Sequence, residues 1–106
     1  MPVSAALEDE GYLVTQASDG NAAIAACRRS APDVIVLDLA LPHLDGAGFA
    51  DEYRKLPVAR APIIVVSGTP RAAETAARVR ASVFLSKPFS LRELLKEVRR
   101  LVDVDA

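Results

Sequence analysis

An α/β domain, a parallel sheet with helices on both faces, is the architecture this sequence predicts, and three observations predict it. Short apolar runs alternate with helix-like segments along the whole chain, the pattern of βα units. Two of those runs, DVIVLDL and PIIVVSG, are apolar without alternation, as strands covered on both sides are. The segments between them carry helix start and stop signals. A chain of 106 residues, 51% hydrophobic and 25% charged, suits one domain over residues 1–106 with a single core.

Taken in order, YLVTQA at residues 12–17 reads as a strand with some alternation, fitting an edge or half-exposed position. Asp19 is placed to cap a helix from Gly20 to about Ser30, after which Pro32 forces an extended entry into VIVLDL. Phe49, Tyr53 and Leu56 are spaced to share one face of a helix that follows Gly46. After PIIVVSG, Thr69-Pro70 predicts a cap with proline at the first helical position. The helix so opened, AETAARVR, has few large apolar residues beyond Val79 and should be held less firmly than the last one. SVFLSK is a fourth, shorter strand. The last helix has the clearest signature. Ser90 and Glu93 form a capping-box pattern, Leu91, Leu94, Leu95, Val98, Leu101 and Val102 trace an apolar stripe, and Arg99 and Arg100 suit the helix dipole.

Composition removes several function classes. A formal net charge of -1 gives no general attraction to nucleic acid or to an anionic membrane. Cys27 is the single cysteine, so no intrachain disulfide forms, and it reads as a small core-facing residue. The opening Met1-Pro2-Val3 starts no signal pattern and no apolar run is long enough to span a bilayer, so a cytoplasmic protein is expected. His43, the only histidine, reads as a solvated loop residue because no second metal ligand stands near it in sequence.

In a parallel sheet, ligands bind in the crevice beyond the carboxyl ends of the strands. Asp38 follows VIVL, Ser67 follows IIVV and Lys87 follows VFLS. Each residue alone is an ordinary strand-end polar group meeting water, but three at successive strand ends favour a site. A carboxylate, a hydroxyl and an ammonium together serve phosphoryl chemistry: the carboxylate attacks phosphorus, while the other two bind the phosphoryl oxygens.

LDLALPHLDG, VVSGTP and FLSKPF, agreeing in order and spacing, resemble the response regulator receiver domain of two-component signalling, and the likeness runs from EDEGYLV through DGNAAIAAC to the final helix. The resemblance implies a flavodoxin-like fold with strand order 2-1-3-4-5. It implies that Asp38 is the phosphoacceptor, that Ser67 and Lys87 contact the phosphoryl group, and that Phe84 is the aromatic switch residue. It also implies a cis Lys87-Pro88 bond, and Mg²⁺ as cofactor with Asp38 and the backbone carbonyl of Ala40 among its ligands. The implied partners are a histidine kinase or phosphotransfer protein, and a downstream protein on the last two helices, where Arg71, Arg78, Arg80, Arg92, Lys96, Arg99 and Arg100 lie.

One departure bears on all of this. Family receivers begin with a strand ending in two acidic residues that hold the metal, whereas SAALEDEG matches the helix after it. Glu8, Asp9 and Glu10 fall at the far end of that helix and do not replace the pair. Weakened or lost Mg²⁺ binding is therefore expected, as is a sheet lacking its usual first strand, whose open surface a second copy could cover. Two functions stay in play: a phosphoacceptor receiver, and a receiver-like docking or dimerisation module not regulated by phosphate. An enzyme is not expected. Haloacid-dehalogenase-like phosphatases also use a strand-end aspartate, but they carry a second aspartate where this chain has Ala40.

Overall fold

The computed structural model describes residues 3–40 and 45–102. His43, together with the Leu41-Pro42 step beside it, lies outside the described residues. Eight elements follow one another: α1 (Val3–Asp9), α2 (Gly20–Arg29), β1 (Ile35–Asp38), α3 (Gly46–Arg54), β2 (Ile63–Ser67), α4 (Ala72–Arg78), β3 (Val83–Ser86) and α5 (Leu91–Val102). The three strands form one parallel sheet in the order β1-β2-β3.

β2 shows how the sheet makes two half-cores. Successive side chains of a strand point to opposite faces, and all five residues of β2 are buried. Ile63 and Val65 pack with Cys27 of α2, Phe49, Ala50 and Tyr53 of α3, and Ala76 of α4. Ile64 and Val66 pack with Leu7 of α1 and with Leu94 and Val98 of α5. β1 and β3 follow the same parity: Ile35, Leu37 and Phe84 join the first cluster, and Val36, Val83 and Leu85 the second. Helices therefore cover both faces, as the continuous apolar strands predict.

The helix ends obey local chemistry in most places. Asp19 accepts a hydrogen bond from the Ala22 amide at 2.8 Å, capping α2 where expected. The Ser90 hydroxyl accepts from the Glu93 amide at 3.1 Å and opens α5. α3 is capped by Asp45, which accepts from the Gly48 amide at 3.1 Å. Phe49 and Tyr53, one turn apart on α3, stack with ring centroids 5.9 Å apart. Leu56 packs on the same cluster from beyond the end of the helix. The start of α3 comes close to the exit of β1 because residue 46 is glycine; a Cβ there would sit 2.5 Å from Cδ2 of Leu39.

Two expectations fail. Residues 12–17 are not a strand: no ladder bond pairs them among the described residues, although exposure alternates from Tyr12 to Thr15 and Tyr12 and Val14 pack on the α1 and α5 side. Leu13 between them is fully exposed. Alternation describes a chain lying on an apolar surface, but a strand also needs a neighbour, and among the described residues β1 has only β2 beside it. The second failure is the Thr69-Pro70 cap. α4 begins at Ala72, preceded by Arg71 in the left-handed region at φ 68, and the Thr69 hydroxyl is bonded to Ser67 instead. The structure also shows α4 as a short helix of seven residues burying only Ala72 and Ala76, while α5 has twelve.

Candidate functional site at the carboxyl end of the sheet

The ladder registers bring the three strand-end residues to one edge. Asp38 is level with Val66, Ser67 is level with Ser86, and Lys87 lies one residue beyond, its amide donating to the Ser67 carbonyl at 2.9 Å. Asp38 and Lys87 meet across 49 residues of sequence: the ammonium donates to Oδ1 at 3.1 Å and to Oδ2 at 3.2 Å. Both side chains are about one-third exposed, 33% for Asp38 and 37% for Lys87, so the pair is open to an incoming group and partly screened by water. Gly68 makes room for the lysine stem, since a Cβ there would stand 3.2 Å from Cβ of Lys87. The Lys87-Pro88 peptide is cis.

Ser67 reaches the same edge but is used differently. It is 1% exposed. Its hydroxyl pairs with that of Thr69 at 2.8 Å and accepts from the Thr69 amide at 3.1 Å, a serine turn that closes on itself. Thr69 was legible as a polar residue but not as the partner of Ser67. A second group the sequence did not disclose is the Ala40 amide, which donates to Oδ1 of Asp38 at 2.9 Å. That bond is the usual turn an aspartate makes with the amide two residues on, and it fixes the carboxylate at the strand exit. Phe84 is half-buried in β3, packed on the α2, α3 and α4 cluster and level with Val65.

The donor set fits Mg²⁺ poorly. The ion seeks near-octahedral oxygen coordination, and among the described residues no three of His, Cys, Asp and Glu stand together. One carboxylate and one main-chain carbonyl, from Asp38 and Ala40, are what the described residues of this edge provide, and Asp38 already receives Lys87 and the Ala40 amide. Glu8, Asp9 and Glu10 are exposed at the end of α1. Glu10 pairs with Arg99 in the last turn of α5 at 3.4 Å and not with the groups around Asp38.

Known proteins share this fold. The family described as the response regulator receiver domain matches residues 2–99. The probable transcriptional regulatory protein TcrX of Mycobacterium tuberculosis is 35% identical over 102 residues, which cover 94% of this chain and 43% of that protein. The sensory transduction protein RegX3 of Mycolicibacterium smegmatis is 31% identical over 105 residues, 95% of this chain and 44% of that one. The chain thus spans less than half the length of these relatives. Among solved structures, the receiver domain of NtrX from Brucella abortus superposes with a TM-score of 0.82 at 31% identity, covering 95% of this chain and 87% of that one. The receiver domain of the sensor histidine kinase PA1611 from Pseudomonas aeruginosa PAO1 gives a TM-score of 0.84 at 31% identity, over 95% of this chain and 85% of that one, and holds a magnesium ion in its active site cleft. With its three strand ends meeting at one edge and its length matched from residue 2 to residue 99, the chain belongs to the response regulator receiver domains of two-component systems.

Proposed function

We propose that this domain accepts a phosphoryl group on Asp38 from the phosphohistidine of a histidine kinase or phosphotransfer protein. The observation that carries the reading is the ammonium of Lys87 on both carboxylate oxygens of Asp38. A carboxylate oxygen of Asp38 attacks phosphorus, the P–N bond of the donor breaks as the P–O bond forms, and the donor imidazole leaves with the electron pair. Lys87 then moves from the carboxylate to a phosphoryl oxygen, and Ser67 supplies a hydroxyl by exchanging its bond with Thr69. Phe84 is the side chain through which the change would reach the surface formed by α4 and α5, where a downstream protein would dock. The domain transfers signal without turning over a substrate, and it works in the cytoplasm without nucleic acid or membrane as partner.

The donor set at Asp38 favours a second reading, a docking or dimerisation module in which phosphate is not the switch and a second copy covers the open side of β1. One comparison separates them. The protein and its Asp38→Asn variant are incubated with a phosphorylated histidine kinase domain and followed by intact mass. Addition of one phosphoryl group to the protein, and none to D38N, is expected. Equal masses throughout would leave the docking reading standing.

A further inference from the structure

The edge of the sheet opposite Asp38 carries a second polar cluster that phosphoryl transfer does not use. Where α3 ends, β2 begins and the turn after α4 leads to β3, an open pocket of about 170 Å³ is lined by Arg54, Arg60 and Arg80 together with Tyr53, Ile63 and Ser82. Among the described residues no carboxylate lines it. The pocket lies by Ile63, four residues before Ser67 on β2, which at about 3.3 Å per residue is roughly 13 Å from the Asp38 edge.

Three arginines lining one cavity gather positive charge, and the usual remedy is a nearby acid. The ion pairs among the described residues use Lys55, Lys87, Arg99 and Arg100 and none of these three. Arg54 is held in the wall by a bond from its guanidinium to the Val79 carbonyl, which serves the carbonyl end of α4. Arg80 is held by its backbone. Its amide donates to the Ala77 carbonyl and the Ala81 amide to the Ala76 carbonyl, closing the turn that ends α4 with Arg80 in the left-handed region at φ 57. Glycine is the least strained residue at that place, so an arginine there spends conformational energy that the helix end itself does not require. The Tyr53 hydroxyl is already satisfied, accepting from the Ala61 amide at 2.8 Å and donating to the Ala59 carbonyl at 3.3 Å, and it pins the loop that carries Arg60.

We propose that this pocket binds a small phosphate-type oxyanion, either inorganic phosphate or a phosphate monoester, between the guanidinium forks of Arg60 and Arg80, with Arg54 adding charge from the wall. Planar guanidinium groups match such oxygens in pairs, which a lysine or a backbone amide does not. The overall charge of -1 makes the pocket a local positive field on a nearly neutral protein.

The test is an NMR titration of the whole chain with inorganic phosphate at constant ionic strength, chloride replacing it in the control, reading arginine Nε–H and backbone amide shifts. Saturable shifts at Arg60, Arg80 and Ser82 are expected, with affinity weakened about fivefold or more in Arg60→Ala and in Arg80→Gly. Arg80→Gly suits the left-handed turn, so loss of binding in that variant does not come from loss of the fold. Lys87→Ala should leave these shifts unchanged. Running glycerol phosphate in parallel distinguishes the two sources, the tighter ligand naming the one the pocket prefers. Shifts that grow linearly without saturation, an unchanged affinity in both arginine variants, or shifts abolished by Lys87→Ala would each overturn the proposal.

Discussion

β1 and β2 are made of nearly the same residues and live in different surroundings. The four apolar residues of β2 are 0–4% exposed, whereas in β1 only Leu37 falls in that range and Ile35 and Val36 are half-buried. Among the described residues β2 has a strand on each side and β1 has one. The Ile35 amide bonds to the Pro62 carbonyl and the Leu39 amide to the Val66 carbonyl, so the odd-numbered groups of β1 face β2. The N–H and C=O groups of Val36 and Asp38 then face the other way. Hydrophobicity alone does not bury a strand in a parallel sheet; its flanking strands do so as well, by bringing their helices with them.

The sharpest way to break this comparison is to truncate both strands. Ile64→Ala, at 0% exposed, should cost ~3 kcal/mol or more in urea unfolding, and Val36→Ala only ~1 kcal/mol. Equal losses would mean that β1 is covered in solution. Next in size is assembly. The β1 edge left unpaired among the described residues is a place for another chain to add, and light scattering across a dilution series should show species heavier than a monomer. Val36→Pro removes an edge-facing N–H without touching the bonds to β2, and should shift the distribution to monomer. A monomeric parent chain with cooperative thermal unfolding would show that the shortened sheet closes on itself.

The same edge sets an expectation for metal affinity. Calorimetric titration should find weak Mg²⁺ binding, and fusing an apolar strand that ends in two acidic residues ahead of Val3 should strengthen it by about tenfold or more, because each added carboxylate supplies an oxygen ligand. Unchanged affinity in the fusion would show that the strand does not enter beside β1. The smallest effects belong away from the sheet. Ser90→Ala should lower stability by ~1 kcal/mol through the lost cap of α5, and Leu13→Ser, at a fully exposed position, by less than ~0.5 kcal/mol. A larger loss from Leu13→Ser in the same denaturation assay would place residues 12–17 against something in solution.

Much of this was legible in the sequence for reasons that can be named. β2 and α5 declare themselves, one as an unbroken apolar run and the other through a stripe with a serine at its start. Asp19 worked as a cap because an aspartate before a helix has one dominant use. Residues 12–17 were misread because period-two exposure reports what a segment lies on and says nothing of what lies beside it. Thr69 was misread because its hydroxyl had two uses, and the backbone at Arg71, in the left-handed region, decided between them. At the site, Asp38 and Lys87 were legible from their places after apolar runs. The Ala40 amide and the Ser67–Thr69 turn were not, since bonds between residues two apart depend on dihedral angles that residue types leave open.

Cys27, facing α3 from α2 and pushed up in pKa by burial, gives the molecule a single built-in reporter. A thiol held protonated in a packed helix face reacts with an alkylating reagent only when that face opens. Its labelling rate, at reagent concentrations where opening is not limiting, therefore reads the opening free energy of the α2 and α3 side. Set beside urea unfolding of the whole chain, that one rate tells whether this flank comes loose while the sheet holds, or whether the two let go together.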